Sequence, residues 1–168
     1  MMHLIITVLA ILLAALVAVG GINYFKMDVG NRLILTRELQ SQRDAILAAL
    51  ASHRIANDGR LPHAGEIPSE RLGGYLPRGV LPGTRATMAF QWRIAEGGAL
   101  CVRNTQPIDD TAVDGVIAFA RKESTAASTV VIASECVSSV PSSCDGPDDG
   151  LVTCDREDSR QIAVSFLP

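Results

Sequence analysis

The 168-residue chain carries 15 Lys and Arg against 18 Asp and Glu, for a net charge of −3. With no basic face in view, nucleic acid is excluded as an expected partner. The length suits one small domain plus an attachment, and the roughly 140 residues beyond the opening are enough for a single core.

The chain opens on MMHLIITVLAILLAALVAVGGINYFK, in which only Thr7, Gly20 and Gly21 interrupt the apolar run from Leu4 to Ile22. As a helix this run is about 28 Å long, enough to cross the hydrocarbon core of a bilayer. A cleavable signal ordinarily has a basic n-region and small residues after its apolar core. Here no Lys or Arg precedes the run, and Ala14, Ala15 and Ala18 lie inside it. Residues 1–27 are therefore read as the membrane-spanning part of an N-terminal helix. Tyr24, Phe25 and Lys26 form an interfacial belt where the helix leaves the membrane. Orientation has two opposed signals. Lys26, Arg32 and Arg37 follow the apolar run and by the positive-inside rule favour a cytoplasmic body. The four cysteines favour an oxidising compartment and are given more weight. The two are reconciled if a basic leader has been removed or a dedicated machine inserts the chain.

From Asn31 the pattern changes. Leu35, Leu39, Ile46 and Leu50 recur at spacings of 4, 7 and 4, which places them on one stripe of an amphipathic helix over 28–56. Arg37, Arg43, Asp44 and Arg54 fall largely elsewhere. Asn57-Asp58-Gly59 supplies turn chemistry that ends the helix, and Pro62 confirms the stop. No proline occurs before Ala56, so the simplest reading is one long helix, weakened at Gly20–Gly21 and near Gly30.

Residues 28–168 form the head: the amphipathic helix half at 28–56, a loop region at 57–85, and sheet, helix and disulfide loop at 86–168. The loop is rich in Pro and Gly, with room for one short helical turn in PSERLGGYLP. ATMAFQWRIAEGGALCVRN reads as a hairpin turning at Gly97–Gly98. Its first strand sets Met88, Phe90 and Trp92 on one face. Its second sets Leu100 and Val102 on one face and Cys101 on the other. Trp92 is read as core. DDTAVDGVIAFARKES predicts a helix capped by Asp109 or Asp110, with Val113, Val116, Ile117 and Ala120 as its apolar stripe. STVVIASEC predicts a strand, SSVPSSCDGPDDGLVTCDRED a loop, and RQIAVSFLP a strand with Ile162, Val164 and Phe166 on one face. The fold class is α+β: a long N-terminal helix, apolar in its first half, packed on a small antiparallel β-sheet head.

The chemistry-bearing residues are few. Cys101, Cys136, Cys144 and Cys154 are read as two structural disulfides; they contain no CxxC. Of the three pairings, Cys144–Cys154 with Cys101–Cys136 comes first, and Cys136–Cys154 with Cys101–Cys144 remains open. His3, His53 and His63 show no ligand spacing and are read as surface or capping residues. Asp145, Asp148, Asp149 and Asp155 offer oxygen ligands but lack the EF-hand spacing, so they are read as a solvated turn cluster. No nucleophile elbow, Walker A or dinucleotide fingerprint occurs. Neither catalytic residues nor a metal or cofactor is expected, and the chain is not expected to be an enzyme.

An apolar helix running into an amphipathic half, the exit AILAALASHRIANDGRLP, an antiparallel sheet and a C-terminal cysteine loop together resemble the type IV pilin superfamily. The run LLAALVAVGGINYF is similar to the pilin spine. Pilins usually carry a Glu near the start of the mature helix, whereas the first acid here is Asp28. The chain is accordingly more similar to an accessory member: a minor pilin, a tip subunit, or the small anchored (PilM-type) proteins of conjugative thin pili. The resemblance implies a structural or assembly role in a type IV pilus-like filament. The partners would be other pilin subunits or pilus assembly proteins and the inner membrane. The head would sit in the periplasm, or outside the cell in a filament. Small residues permit close helix approach, so self-association is expected through Leu9, Leu13, Leu16, Gly20 and Gly21. Asp145, Asp148 and Asp149 would lie on an exposed contact loop. The alternatives are a membrane-anchored periplasmic binding or adhesion module, and a biogenesis factor that never enters the filament.

Overall fold

The computed structural model describes residues 2–67, 72–77, 87–124, 128–144, 150–154 and 160–167; within the first helix, side chains are described at Ala10, Ile11 and from Val29 onward. That helix, α1, runs unbroken over Met2–Ala56. Its 55 residues make it about 82 Å long. It ends where the turn chemistry predicts: Asp58 and Gly59 take positive φ, and Gly59 N–H donates to Arg54 O at 2.8 Å. Glycine at this left-handed position closes the helix without Cβ strain.

Among the described residues six strands follow: β1 (Gly65–Ile67), β2 (Phe90–Ile94), β3 (Leu100–Asn104), β4 (Val130–Ala133), β5 (Leu151–Thr153) and β6 (Ala163–Phe166). The second helix, α2, spans Asp110–Glu123 between β3 and β4. The sheet order is β1-β2-β3-β6-β4-β5, so the last strand in sequence lies between β3 and β4. The head is thus α+β, but its sheet is mixed, not antiparallel throughout: β4 and β5 are parallel. Parallel neighbours need a connection that returns across the sheet. Here the cysteine-bearing segment after β4 supplies it. Two further expectations are corrected. The loop region 57–85 contains strand β1, and the cysteine loop contains strand β5.

The hairpin forms as its sequence predicts. Gly97 and Gly98 both have positive φ, and Trp92 faces Val102 in register. Leu61 packs closely against this turn: a Cβ at Gly98 would lie 2.8 Å from Leu61 Cδ1. Met88 does not join the strand face; it precedes β2 and is 70% exposed.

The two sheet faces are covered differently. The inner face carries Trp92, Val102, Ile132, Val164 and Phe166, packed against Leu39 and Ile46 of α1 and Phe119 of α2. All four residues of the predicted α1 stripe are buried. Asp109 caps α2, accepting from Ala112 N at 2.7 Å. Val113, Val116 and Ala120 are buried as expected, Ile117 packs at the margin, and Phe119 and Gly115 are buried besides. Gly115 allows the two helices to meet, since a Cβ there would lie 3.0 Å from Leu35 Cδ2. The outer face carries a smaller cluster of Val131, Ala133, Val152 and Cys154, covered by Val137, Cys144 and Leu167.

Among the described residues no helix is long and apolar enough to cross a membrane. Apart from Ala10 and Ile11, the side chains of the 4–22 run lie outside those residues.

Candidate functional site

Three surfaces are candidates for function: the spine α1, the cysteine strap over the outer face, and a cavity where α1 ends. The α1 backbone passes through Leu9, Leu13, Leu16, Gly20 and Gly21, whose side chains lie outside the described residues. So do those of Tyr24, Phe25, Lys26 and His3.

Further along, the described part of α1 has two characters. Towards the head it is fixed by packing and by polar bonds. Thr36 Oγ1 donates to Gly115 O at 3.1 Å. Gln42 bridges two elements: its Oε1 accepts from Trp92 Nε1 at 2.8 Å and its Nε2 donates to Thr87 Oγ1 at 3.0 Å. Trp92 is therefore core, and its polar edge is satisfied. Arg43 pairs with Glu123 at 2.6 Å, and its guanidinium lies 5.0 Å above the Phe166 ring. Gln40 bonds both Glu123 and Lys122, tying α1 to the end of α2.

Away from the head, α1 presents large apolar side chains to solvent. Val29, Leu33 and Ile34 are each about half exposed, Leu47 is 40% exposed and Ile55 is 86% exposed. Val29 and Leu33 are spaced i,i+4 and share one face of the helix, off the Leu35–Leu50 stripe. The sequence carried a signal for this flank, since these apolar residues lie off the Leu35–Leu50 stripe.

All four cysteines are disulfide-bonded, Cys101–Cys136 and Cys144–Cys154. The first of the open pairings is the one formed. Cys101 points outward from β3, opposite Val102, so its bond to Cys136 pins the strap across the outer face. Val137 N–H donates to Ser165 Oγ at 3.0 Å and adds a second attachment. Cys144–Cys154 closes a tighter loop around Asp145, Asp148 and Asp149, which lie outside the described residues together with Asp155. Beside the strap, Arg93 and Arg103 occupy the outer face of β2 and β3, each with a buried Nε that has no hydrogen-bond partner among the described residues.

The third surface was not legible as a site. His53 is not at the surface: it is only 6% exposed. Its ring meets Tyr75 edge-on with centroids 5.7 Å apart, and its Nδ1 lacks a partner among the described residues. The signal was present, because position 53 lies seven after Ile46 and three after Leu50, on the buried stripe. His53, Asn57, Arg60, Leu61, His63 and Tyr75 line a cavity of about 490 Å³. Asn57 Nδ2 donates to His53 O at 2.8 Å and closes the helix end beside it. The turn at Leu72–Leu76 brings Tyr75 over the cavity, with Leu76 N–H donating to Leu72 O at 3.2 Å. The predicted short helical turn is therefore present.

Among the described residues no group of three or more His, Cys, Asp or Glu is placed to hold a metal ion. Comparison with protein-family models, curated proteins and solved structures finds no match to this chain.

Proposed function

We propose that this chain is a structural or assembly component of a type IV pilus-like filament, acting by protein–protein contact. In this reading residues 1–27 anchor it in the inner membrane and the head faces the periplasm. Other pilin-like subunits pack along the helical spine.

The observation that supports this reading is α1 itself. One helix carries the apolar run of the sequence straight into a segment that the head covers on one side only. On its other side that segment leaves Val29, Leu33, Ile34, Leu47 and Ile55 exposed. A simple anchor needs no apolar flank beyond the membrane, whereas a spine that packs against neighbouring helices does. The disulfide-stapled strap fits a head that works in an oxidising compartment.

The test is intact mass and N-terminal sequencing of protein from the native host, taken from membranes and from sheared surface material. Recovery in the sheared fraction, with two disulfides and a trimmed or methylated N-terminus, is the expected result. Retention in the membrane alone, with Met1 unprocessed, would sink the subunit reading and leave an anchored assembly factor or binding module.

A further inference from the structure

We infer that the outward face of α1 takes a second copy of this chain, parallel and displaced by one heptad, so that Arg37 of one copy meets Asp44 of the next. The inference rests on the reading of α1 as a packing spine, and it names the partner and the register.

The first observation is the direction of the two charges. Leu39 and Ile46 are fully buried against the head. Each lies two residues beyond one of the charges, and two residues turn a helix by about 200°. Arg37 and Asp44 therefore face away from the head, and their spacing of seven puts them nearly in line along the helix. Both are exposed, Asp44 with 72% of its side chain in solvent. The second observation is their surroundings. On the same side Val29 and Leu33 precede Arg37, while Ala48 and Ile55 follow Asp44, all four of them exposed. The third is that neither charge is spent within the head. Among the described residues Arg37 makes no ion pair. Asp44 has a 3.4 Å contact with Arg43, whose guanidinium is held by Glu123 at 2.6 Å.

These charges select a register. Two parallel copies side by side at the same level would set Arg37 against Arg37 and Asp44 against Asp44, and like charges across a contact oppose it. A displacement of seven residues, about 10.5 Å along the axis, keeps the seam in phase and sets Arg37 against Asp44 instead. It also sets Ala48 against Ile55, small against large. An antiparallel pair would match the same charges, but it would send the two N-terminal apolar runs in opposite directions, against a shared membrane anchorage. A displaced contact joins unlike patches, so each copy keeps a free Arg37 or Asp44 for the next and the assembly does not close.

The test is sedimentation velocity of the full chain in micelles of a non-ionic detergent, over a range of protein concentrations. The unaltered chain is expected to form species that grow past a dimer as concentration rises. Arg37→Asp and Asp44→Arg each place like charges at the contact and should raise the concentration needed for half-association about tenfold or more. An equimolar mixture of the two variants restores every Arg–Asp meeting and should recover association, as should the double variant R37D/D44R. Both positions face away from the core, so unchanged thermal unfolding of the single variants is expected and separates lost association from lost folding. A chain that stays monomeric, an assembly that stops at a dimer, association indifferent to R37D, or a double variant that does not recover would each overturn the proposal. Recovery of the chain in sheared filaments from the host would still support the filament reading after any of these results, so the two fail separately.

Discussion

The two faces of the sheet solve the same problem by different means. The inner face is covered by two helices and filled with large side chains. Trp92, Phe119 and Phe166 meet there with ring centroids 5.7–6.4 Å apart. The outer face buries a smaller cluster, Val131, Ala133, Val152 and Cys154, beneath an irregular strap, and it is closed by covalent bonds. Burial of aromatic and long aliphatic groups stabilises the inner layer without further help. On the outer face the small side chains provide little apolar area to hold a strap whose described part, residues 134–144, forms no helix or strand. The lesson is that the disulfides take the place of a third layer.

The harshest way to break the comparison is Phe119→Ala, which empties the centre of the inner face. A fully buried aromatic removed in this way costs about 3–5 kcal/mol. Urea unfolding of the head should show that loss, and a cost below 1 kcal/mol would contradict the central place given to this ring. The matching change outside is the double substitution C101A/C136A. It opens a closure between residues 35 apart and should cost about 3–4 kcal/mol. The stronger signature is regional: limited proteolysis should cut within 134–144 while the helical far-ultraviolet signal persists. Resistance of the strap to protease would show that packing alone holds it. The tighter Cys144–Cys154 loop, with a separation of 10, should cost less, about 2–3 kcal/mol.

Gln42→Ala probes the polar joint within the inner layer. It strands Trp92 Nε1 and should cost about 1–3 kcal/mol, with a change in tryptophan fluorescence. An unchanged emission spectrum would show that the indole had found another acceptor. The smallest effect is expected from Asp109→Ala, which removes the α2 cap for about 1 kcal/mol by thermal unfolding.

The inner face was far more legible in the sequence than the outer one. Leu35, Leu39, Ile46 and Leu50 announce their helix by spacing alone, and Glu96-Gly97-Gly98 announces the hairpin, because both signals are local. β1 and β5 are three residues each, set among Pro, Gly and Asp, and their pairing depends on partners distant in the chain. The parallel register of β4 and β5 has no local signature for the same reason. His53 and Gln42 were hidden by residue type: both lie on the apolar stripe, but polar residues there are discounted when apolar periodicity is counted. Leu9, Leu13, Leu16 and the acidic loop remain sequence readings, since their side chains lie outside the described residues.

The position of β6 has a consequence for how the head is made. Ala163–Phe166 is synthesised after the other strands of this sheet, yet it joins β3 to β4 at the middle of the sheet. Asn104 holds its entry, accepting from Ile162 N at 2.8 Å. Until this strand arrives, the β2–β3 hairpin and β4 have no bridge between them, and each exposes an unpaired edge. The nascent head therefore waits as two unjoined halves with Cys101 on one and Cys136 beyond the other. Oxidation of that pair before β6 docks would tie the halves together across an empty slot. Correct assembly thus depends on a few residues docking before the Cys101–Cys136 bond closes, which makes the order of strand docking and oxidation a folding variable for this protein.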